Sequence, residues 1–301
     1  MPSIFGGLRL SPRASRTPGA VRVRLVVNPL ARRGAEGDAV RTALIARGID
    51  CVDDAEDPST LDAIVVAGGD GTVVSQIGIA IQHGLPIGVV PLGTFNDMAR
   101  TLNIPMAIAA ACDAIAGGAT RAIDIGRVNG VYFVNEASLG ISARAARGQT
   151  PDVKRRFGWL GIVGTTLQTL VRSVPFAADI VCDGASERVR TVQLTIANSN
   201  RFGSIWYVPQ AAIDDGWLDL YSVEFSGFFQ TVLGLCGLLR SRGSAPVQGL
   251  RRRSGTRFEI LTRRPHHIVA DGEPAGATPA TFDLLPRAVR ILVPAEPAVV
   301  D

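Results

Sequence analysis

The sequence predicts an α/β plus β protein of two domains: a layered α/β half at the N-terminus, then an antiparallel β half. Three observations lead there. Over the first third, short β-branched runs alternate with helical patterns, the rhythm of parallel α/β units. After about Ala122 the chain reads as strands separated by the dipeptides Asn129-Gly130, Asp183-Gly184, Asp215-Gly216 and Asp271-Gly272, each a tight-hairpin signal. Finally, 301 residues that are 47% hydrophobic and 19% charged are long for one core and apolar enough to build two.

Residues 1–20, with Arg9, Arg13 and Arg16 among Ser, Pro and Gly, read as a loose leader without the apolar run of a secretory signal. A strand is expected at Arg22 to Val27 and a helix from Glu36 to Arg47. Strands follow at Ala63 to Ala67 and Ile87 to Val90, with helices at Thr72 to His83 and Met106 to Ala116. This Rossmann-like half is placed at 21–122 and rejoined by 288–297, whose strand is Ala288 to Val293. The β-rich half occupies 123–287, with helical interruptions at Val153 to Val174 and Gly227 to Leu239.

The net charge is +4 and nearly all cationic charge is arginine, since Lys154 is the only lysine. Such a balance suits anionic partners in general. Cys51, Cys112, Cys182 and Cys236 form no CxxC pair and none neighbours a histidine, which excludes a readable zinc site and favours reduced thiols in the cytoplasm. Phe225 to Leu239 is uncharged but shorter than the ~20 residues of a bilayer span, so no transmembrane helix is expected.

Chemistry concentrates in Ile64-Val65-Val66-Ala67-Gly68-Gly69-Asp70-Gly71-Thr72, a buried strand running through glycines into a helix. Glycines let the backbone approach a pyrophosphate, and the N–H groups opening the helix present positive charge to it. Asp70 is an acid inside an anion site, which makes sense when Mg²⁺ bridges it to phosphate. As an ordinary βα turn, the same residues would relieve sterics and cap the helix. The loop is neither GxxxxGK[ST] nor GxGxxG.

A second loop, Pro91-Leu92-Gly93-Thr94-Phe95-Asn96-Asp97-Met98-Ala99-Arg100, follows the next buried strand. Ligands of open α/β sheets bind beyond the carboxyl ends of the strands, so the two loops are expected to converge on one nucleotide. Thr94 and Asn96 can donate hydrogen bonds to phosphate; helix capping by Asn96 or Asp97 is compatible with that.

GGDGT, then PLGTFNDMAR, DIGRVNGVYFVNEASLG and a late ADGE resemble the catalytic domain of diacylglycerol kinases and related bacterial lipid kinases, from about Val21 to Pro294. The resemblance implies a phosphofructokinase-like nucleotide domain, a β-sandwich-like second domain, and ATP and Mg²⁺ in the cleft between them. It implies that Asn28, Gly68, Gly69, Asp70, Gly71, Thr72 and Thr94 hold ATP, with Asn96 and Asp97 near the phosphates. It makes Glu273 the proton acceptor, with Asp271 its nearest rival and Asp70 the third catalytic acid. It also implies a second Mg²⁺ on the Asp215 carboxylate and the carbonyls of Ala212 and Trp217; without the resemblance that segment is a turn with solvated carboxylates. One departure stands out: Val74 and Ser75 occupy positions where the family commonly has Asn and Glu.

The expected acceptor is a membrane lipid such as diacylglycerol, reached by peripheral association from the cytoplasm. Phe225 to Leu239 followed by Arg240, Arg242, Arg251, Arg252 and Arg253, and Lys154, Arg155 and Arg156 ahead of Phe157 to Val171, pair apolar with basic character. Each also reads as a core helix with a charged end. A homodimer is a further candidate partner, and nucleic acid, supported by charge alone, is not expected. The rival classes are an NAD kinase or phosphofructokinase-like small-molecule kinase, against which the second loop argues, and a non-catalytic binding protein on the same fold.

Overall fold

The computed structural model describes residues 21–28, 36–52, 57–141, 174–199, 201–202, 206–207, 212–224 and 250–295. The first half runs β1 (Val21–Val27), α1 (Gly37–Ile45), β2 (Ile49–Val52), a 3-10 turn (Pro58–Thr60), β3 (Ala63–Gly68), α2 (Asp70–His83), β4 (Ile87–Pro91), α3 (Asp97–Thr101) and α4 (Ile108–Gly117). The strands lie parallel in the order β2-β1-β3-β4.

Every residue of β3 is buried, as a strand covered on both faces requires. Ile64 and Val66 pack with Val73, Ile77 and Ala80 of α2 and Met98 and Ala99 of α3. Ala63, Val65 and Ala67 pack on the opposite side with Val40 and Leu44 of α1 and Ala111 and Ile115 of α4. The alternation along one strand thus supplies both inner surfaces of a three-layer sandwich. Strand β2 was not anticipated; it is a four-residue edge strand whose exposed Asp50 breaks the apolar run.

The second half comprises β5 (Thr120–Val128), β6 (Val131–Phe133), β7 (Glu136–Gly140), β8 (Phe176–Cys182), β9 (Ala185–Thr191), β10 (Gln193–Ala197), β11 (Arg201–Phe202), β12 (Trp206–Tyr207), β13 (Leu218–Val223), β14 (Leu250–Gly255), β15 (Arg257–Thr262), β16 (His267–Ala270), β17 (Glu273–Ala277) and β18 (Ala280–Leu292). A six-stranded antiparallel sheet, β14-β13-β10-β7-β16-β17, packs on β5, β6, β8, β9, β15 and the first part of β18. The core between them holds Phe133, Phe258 and Phe282, all fully buried.

Strand β18 joins the halves. Expected to begin at Ala288, it begins at Ala280 and is 13 residues long. Its first part pairs with β15, and Ile291 pairs in parallel with Ile87 of β4. A ten-stranded sheet therefore runs through both halves. Between Leu285 and Val289 the pairing of β18 with β5 shifts register, and Arg287 there is left-handed with φ of 49°. Asp124, 1% exposed, ties this bend down: one carboxylate oxygen accepts from Arg287 N (2.7 Å) and the other from Gly216 N (2.8 Å).

Three of the four hairpin dipeptides close two-residue turns with both residues at positive φ: Asn129-Gly130, Asp183-Gly184 and Asp271-Gly272. Asp215-Gly216 does not. Its carboxylate accepts from Ala212 N and Trp217 N, 3.0 Å each, and so closes a loop ahead of β13 instead of turning a strand back. The helical segments expected at 153–174 and 227–239 lie outside the described residues, apart from Val174 at the end of the first.

Candidate active site

At the ends of β3 and β4, the two glycine loops touch. A Cβ on Gly93 would sit 2.5 Å from the Gly69 Cα, so only glycine permits this backbone approach. Leu92 N donates to Gly68 O (2.9 Å). At the end of β1, Asn28 Nδ2 donates to Thr72 Oγ1 (3.1 Å), which joins a third strand end to the start of α2. Gly71 and Thr94 are exposed, and nothing lies within 4 Å of a Cβ placed on Gly71. The result is an open ledge of backbone and hydroxyl groups at the α2 N-terminus, suited to phosphate.

Asn96 ties its own loop together, using one of the two N–H bonds of its amide. In the left-handed conformation, its amide donates to Gly93 O and accepts from Gly93 N, 3.0 Å each. Its side chain shapes the loop. Asp70 opens α2, and its two carboxylate oxygens accept from Asp97 N (3.1 Å) and Met98 N (3.0 Å) at the start of α3. The anticipated capping role for Asp70 toward its own helix is thus exercised on the neighbouring one.

From the second half, the Asp271-Gly272 turn reaches the same cleft. Asp271 accepts from Val134 N (2.6 Å), Asn135 N (3.0 Å) and Glu136 N (3.0 Å), so its carboxylate braces the β6–β7 corner. Burial raises its pKa to about 6 against the pull of these N–H groups, and Asp70 adds to the rise. Glu136 is the residue that sequence reasoning missed. Burial first, then Asp271, then Asp97, push it up to about 8. A glutamate opening an otherwise apolar strand, Glu-Ala-Ser-Leu-Gly, was the available signal. Asp97 is buried, whereas Glu273 is exposed at the start of β17.

All the donors here are hard oxygens, and burial, with their mutual repulsion added, raises two pKa values. A divalent cation shared with nucleotide phosphates fits such a set. An all-protein cage does not, because no group of three or more His, Cys, Asp or Glu placed to hold a metal occurs among the described residues. At the second expected cation site, Ala212, Asp215 and Trp217 do come together, Asp215 accepting from the N–H groups of the other two. Val74 packs against the core and Ser75 Oγ donates to Thr72 O (2.7 Å), so Asp70 is the only carboxylate on α2.

Of the basic residues expected beside an apolar segment at a membrane surface, Arg251, Arg252 and Arg253 lie on β14 and are paired with acids. Arg251 pairs with Glu224 and Glu187, Arg252 with Asp219, and Arg253 with Glu187. The remaining basic and apolar candidates, residues 154–171 and 225–242, lie outside the described residues. Among those described, no helix is long and apolar enough to cross a membrane.

Comparison with known proteins follows the same division. A profile described as the diacylglycerol kinase catalytic domain matches residues 10–128, and one described as the YegS C-terminal NAD kinase β-sandwich-like domain matches residues 135–293. The chain is 30% identical over 241 residues to a Staphylococcus haemolyticus protein provisionally named a lipid kinase, covering 78% of this chain and 77% of that protein. It is 29% identical over 241 residues to a Bacillus subtilis protein named diacylglycerol kinase, covering 79% of each. A crystal structure from Bacillus anthracis, titled as a diacylglycerol kinase, superposes with a TM-score of 0.73 at 25% identity, covering 95% of this chain and all of that one. Against a longer uncharacterised Synechocystis protein, the chain spans 55% of the relative's length.

Proposed function

The chain belongs to the diacylglycerol kinase catalytic-domain family, and from that membership we propose that it is an ATP- and Mg²⁺-dependent kinase phosphorylating a hydroxyl of a membrane lipid such as diacylglycerol. The observation that carries this reading is the backbone contact of Gly69 with Gly93, which joins two strand-end loops into one phosphate ledge facing carboxylates of the second half.

On this reading the triphosphate lies along Gly68 to Thr72, with Thr94 donating to it and the α2 N-terminus favouring its charge. Mg²⁺, when bound, offsets negative charge on the phosphate oxygens; Asp70 and Asp97 are the N-terminal carboxylates near enough to the loops to hold it. Asp70 does so from a fixed position, because its hydrogen bonds to α3 set its orientation. Asp271 holds the β6–β7 corner against the cleft. A cleft carboxylate takes the hydroxyl proton, and Glu273 has that role by family resemblance.

The test incubates the protein with labelled ATP, Mg²⁺ and separate acceptors: diacylglycerol, phosphatidylglycerol, ceramide and a sphingoid base in mixed micelles, and NAD and fructose 6-phosphate in solution. Label in a lipid product is the expected result. Label in NAD or the sugar phosphate, with none in any lipid, would replace this reading by the small-molecule kinase.

A further inference from the structure

We propose that one end of the β half is a docking surface for an anionic lipid bilayer, built from Arg190, Arg263 and Arg264 around the exposed side chains of Val174 and Leu261. The proposal rests on the lipid-kinase reading for its partner and names the face of the molecule that meets it.

Strand pairing brings these residues together. In the ten-stranded sheet β8 lies between β15 and β9. Arg190 of β9 is opposite Ala177 and Thr262 of β15 is opposite Ala178, so the start of β8 is flanked by the ends of both neighbours. Arg263 and Arg264 follow β15 directly, in the loop that leads to β16. Stacking of His266 on Phe176, with ring centroids 4.0 Å apart, ties that loop to the start of β8, and Val174 precedes Phe176 by two residues. On its other side the loop is held by His266 N, which donates to Thr278 Oγ1 (2.9 Å).

The side chains share an outer face. Ala178 and Ile180 of β8 enter the sandwich core, so Ala177 and Asp179 face outward together with their partners Arg190 and Leu261. Val174 is 71% exposed and Leu261 45%.

Charge distinguishes this end from the rest of the surface. Arg190, Arg263 and Arg264 are exposed, and none makes a side-chain hydrogen bond or ion pair among the described residues. The arginines of β14 are neutralised by Glu187, Asp219 and Glu224. Asp179, which follows Ala177 by two residues, is itself paired with Arg188 (3.6 Å), and residues 261–270 contain no acid. Guanidinium groups bind phosphate oxygens strongly, and aliphatic side chains between them can enter the boundary between headgroups and acyl chains. Those aliphatic side chains favour a bilayer over nucleic acid, whose backbone would use the arginines alone.

More cationic charge is attached at the same end. The described residues stop at Ile141 and resume at Val174. Gly140 is opposite Gln193, and a Cβ on it would sit 2.3 Å from the carbonyl oxygen of Val192, next to Thr191, the partner of Phe176. Residues 142–173, joined to the fold at these two points, carry six basic residues and one acid, Asp152. From this end β16 leads to Asp271 in the cleft. Its four residues span about 13 Å at about 3.3 Å each, so a bilayer held here lies one short strand from the site.

The experiment sediments the full chain with vesicles of phosphatidylcholine alone and of phosphatidylcholine mixed equally with phosphatidylglycerol. The wild type is expected to partition at least about tenfold more strongly onto the mixed vesicles, and to lose that excess between about 0.1 M and about 1 M salt. Arg190→Glu, Arg263→Glu and Arg264→Glu together should remove the excess, with wild-type thermal unfolding and wild-type turnover of a short-chain, water-soluble diacylglycerol. Should that triple variant unfold, the same positions changed to Gln are read in its place. Val174→Ser with Leu261→Ser should weaken binding to mixed vesicles at least about threefold. Arg22→Glu, Arg47→Glu and Arg257→Glu, the same change of net charge at acid-paired positions, should keep the excess. Undiminished binding in the first triple variant, or equal loss in both, overturns the proposal. A wild type that prefers duplex DNA to mixed vesicles replaces the bilayer by nucleic acid. Sedimentation is read without turnover, so vesicle binding by a wild type that phosphorylates no lipid overturns the kinase reading alone.

Discussion

The carboxylates of the cleft divide between holding the protein and facing the substrate. Asp70 and Asp271 hold. Asp70→Ala removes the side chain that satisfies the α3 N-terminus and should destabilise the fold by about 1–2 kcal/mol in urea denaturation, besides abolishing transfer. Both Glu136 and Asp271 have pKa values raised by folding, from 4.5 to about 8 and from 3.8 to about 6. The folded state therefore binds more protons than the unfolded one between about pH 4 and pH 8. Stability contributed by the protonated groups is complete below that window and is lost as pH rises through it. Without Mg²⁺, the unfolding midpoint should fall from pH 5 to pH 8, and Glu136→Gln should flatten most of that slope. A midpoint that rises across the window would contradict the crowding. Motifs revealed Asp70 and Asp271 because their glycine and turn contexts are local. Their bracing partners, 27 to 137 residues away, are not readable from the chain.

At the scale of elements, the site depends on the two glycine loops meeting. Gly93→Ala puts a methyl 2.5 Å from the Gly69 Cα and 2.7 Å from Asn96 Oδ1, so the loops must separate. Loss of ATP binding by calorimetry is expected, with the far-UV circular dichroism of wild type. The strands and helices of the first half were legible because β3 and β4 are fully buried apolar runs ending in glycine or proline. Three hairpins were legible from their dipeptides, since a tight turn with two positive φ values needs Asn or Asp followed by Gly. Asp215-Gly216 misled for the same reason: the dipeptide specifies the local turn, and tertiary contacts with Asp124 decide whether strands flank it. Glu136 was legible only as a glutamate opening a buried strand, because the acids that act on it, Asp271 and Asp97, are brought near by the fold.

Across the whole molecule, β18 makes the two halves one sheet. Its central bend is fixed by Asp124, whose loss would leave the N–H groups of Gly216 and Arg287 unsatisfied at a cost of about 1–3 kcal/mol each. Heat should unfold the wild type in one transition, because neither half keeps a complete sheet without β18. Asp124→Ala should lower the midpoint in calorimetry and still give one transition; two separate transitions would show that the halves fold independently. The division into an α/β half and a β half was readable from periodicity, but the continuous sheet was not, because nothing local in Ala280 to Leu285 distinguishes a strand of one half from a strand shared by both.

The account turns on a cleft to which both halves contribute. Hydrogen–deuterium exchange with and without a Mg²⁺-bound, non-hydrolysable ATP analogue tests that directly. Slowed exchange is predicted at residues 68–72 and 93–98 of the first half and, in the same complex, at 134–136 and 271–273 of the second. Protection confined to the first half, or centred on neither loop, would contradict it.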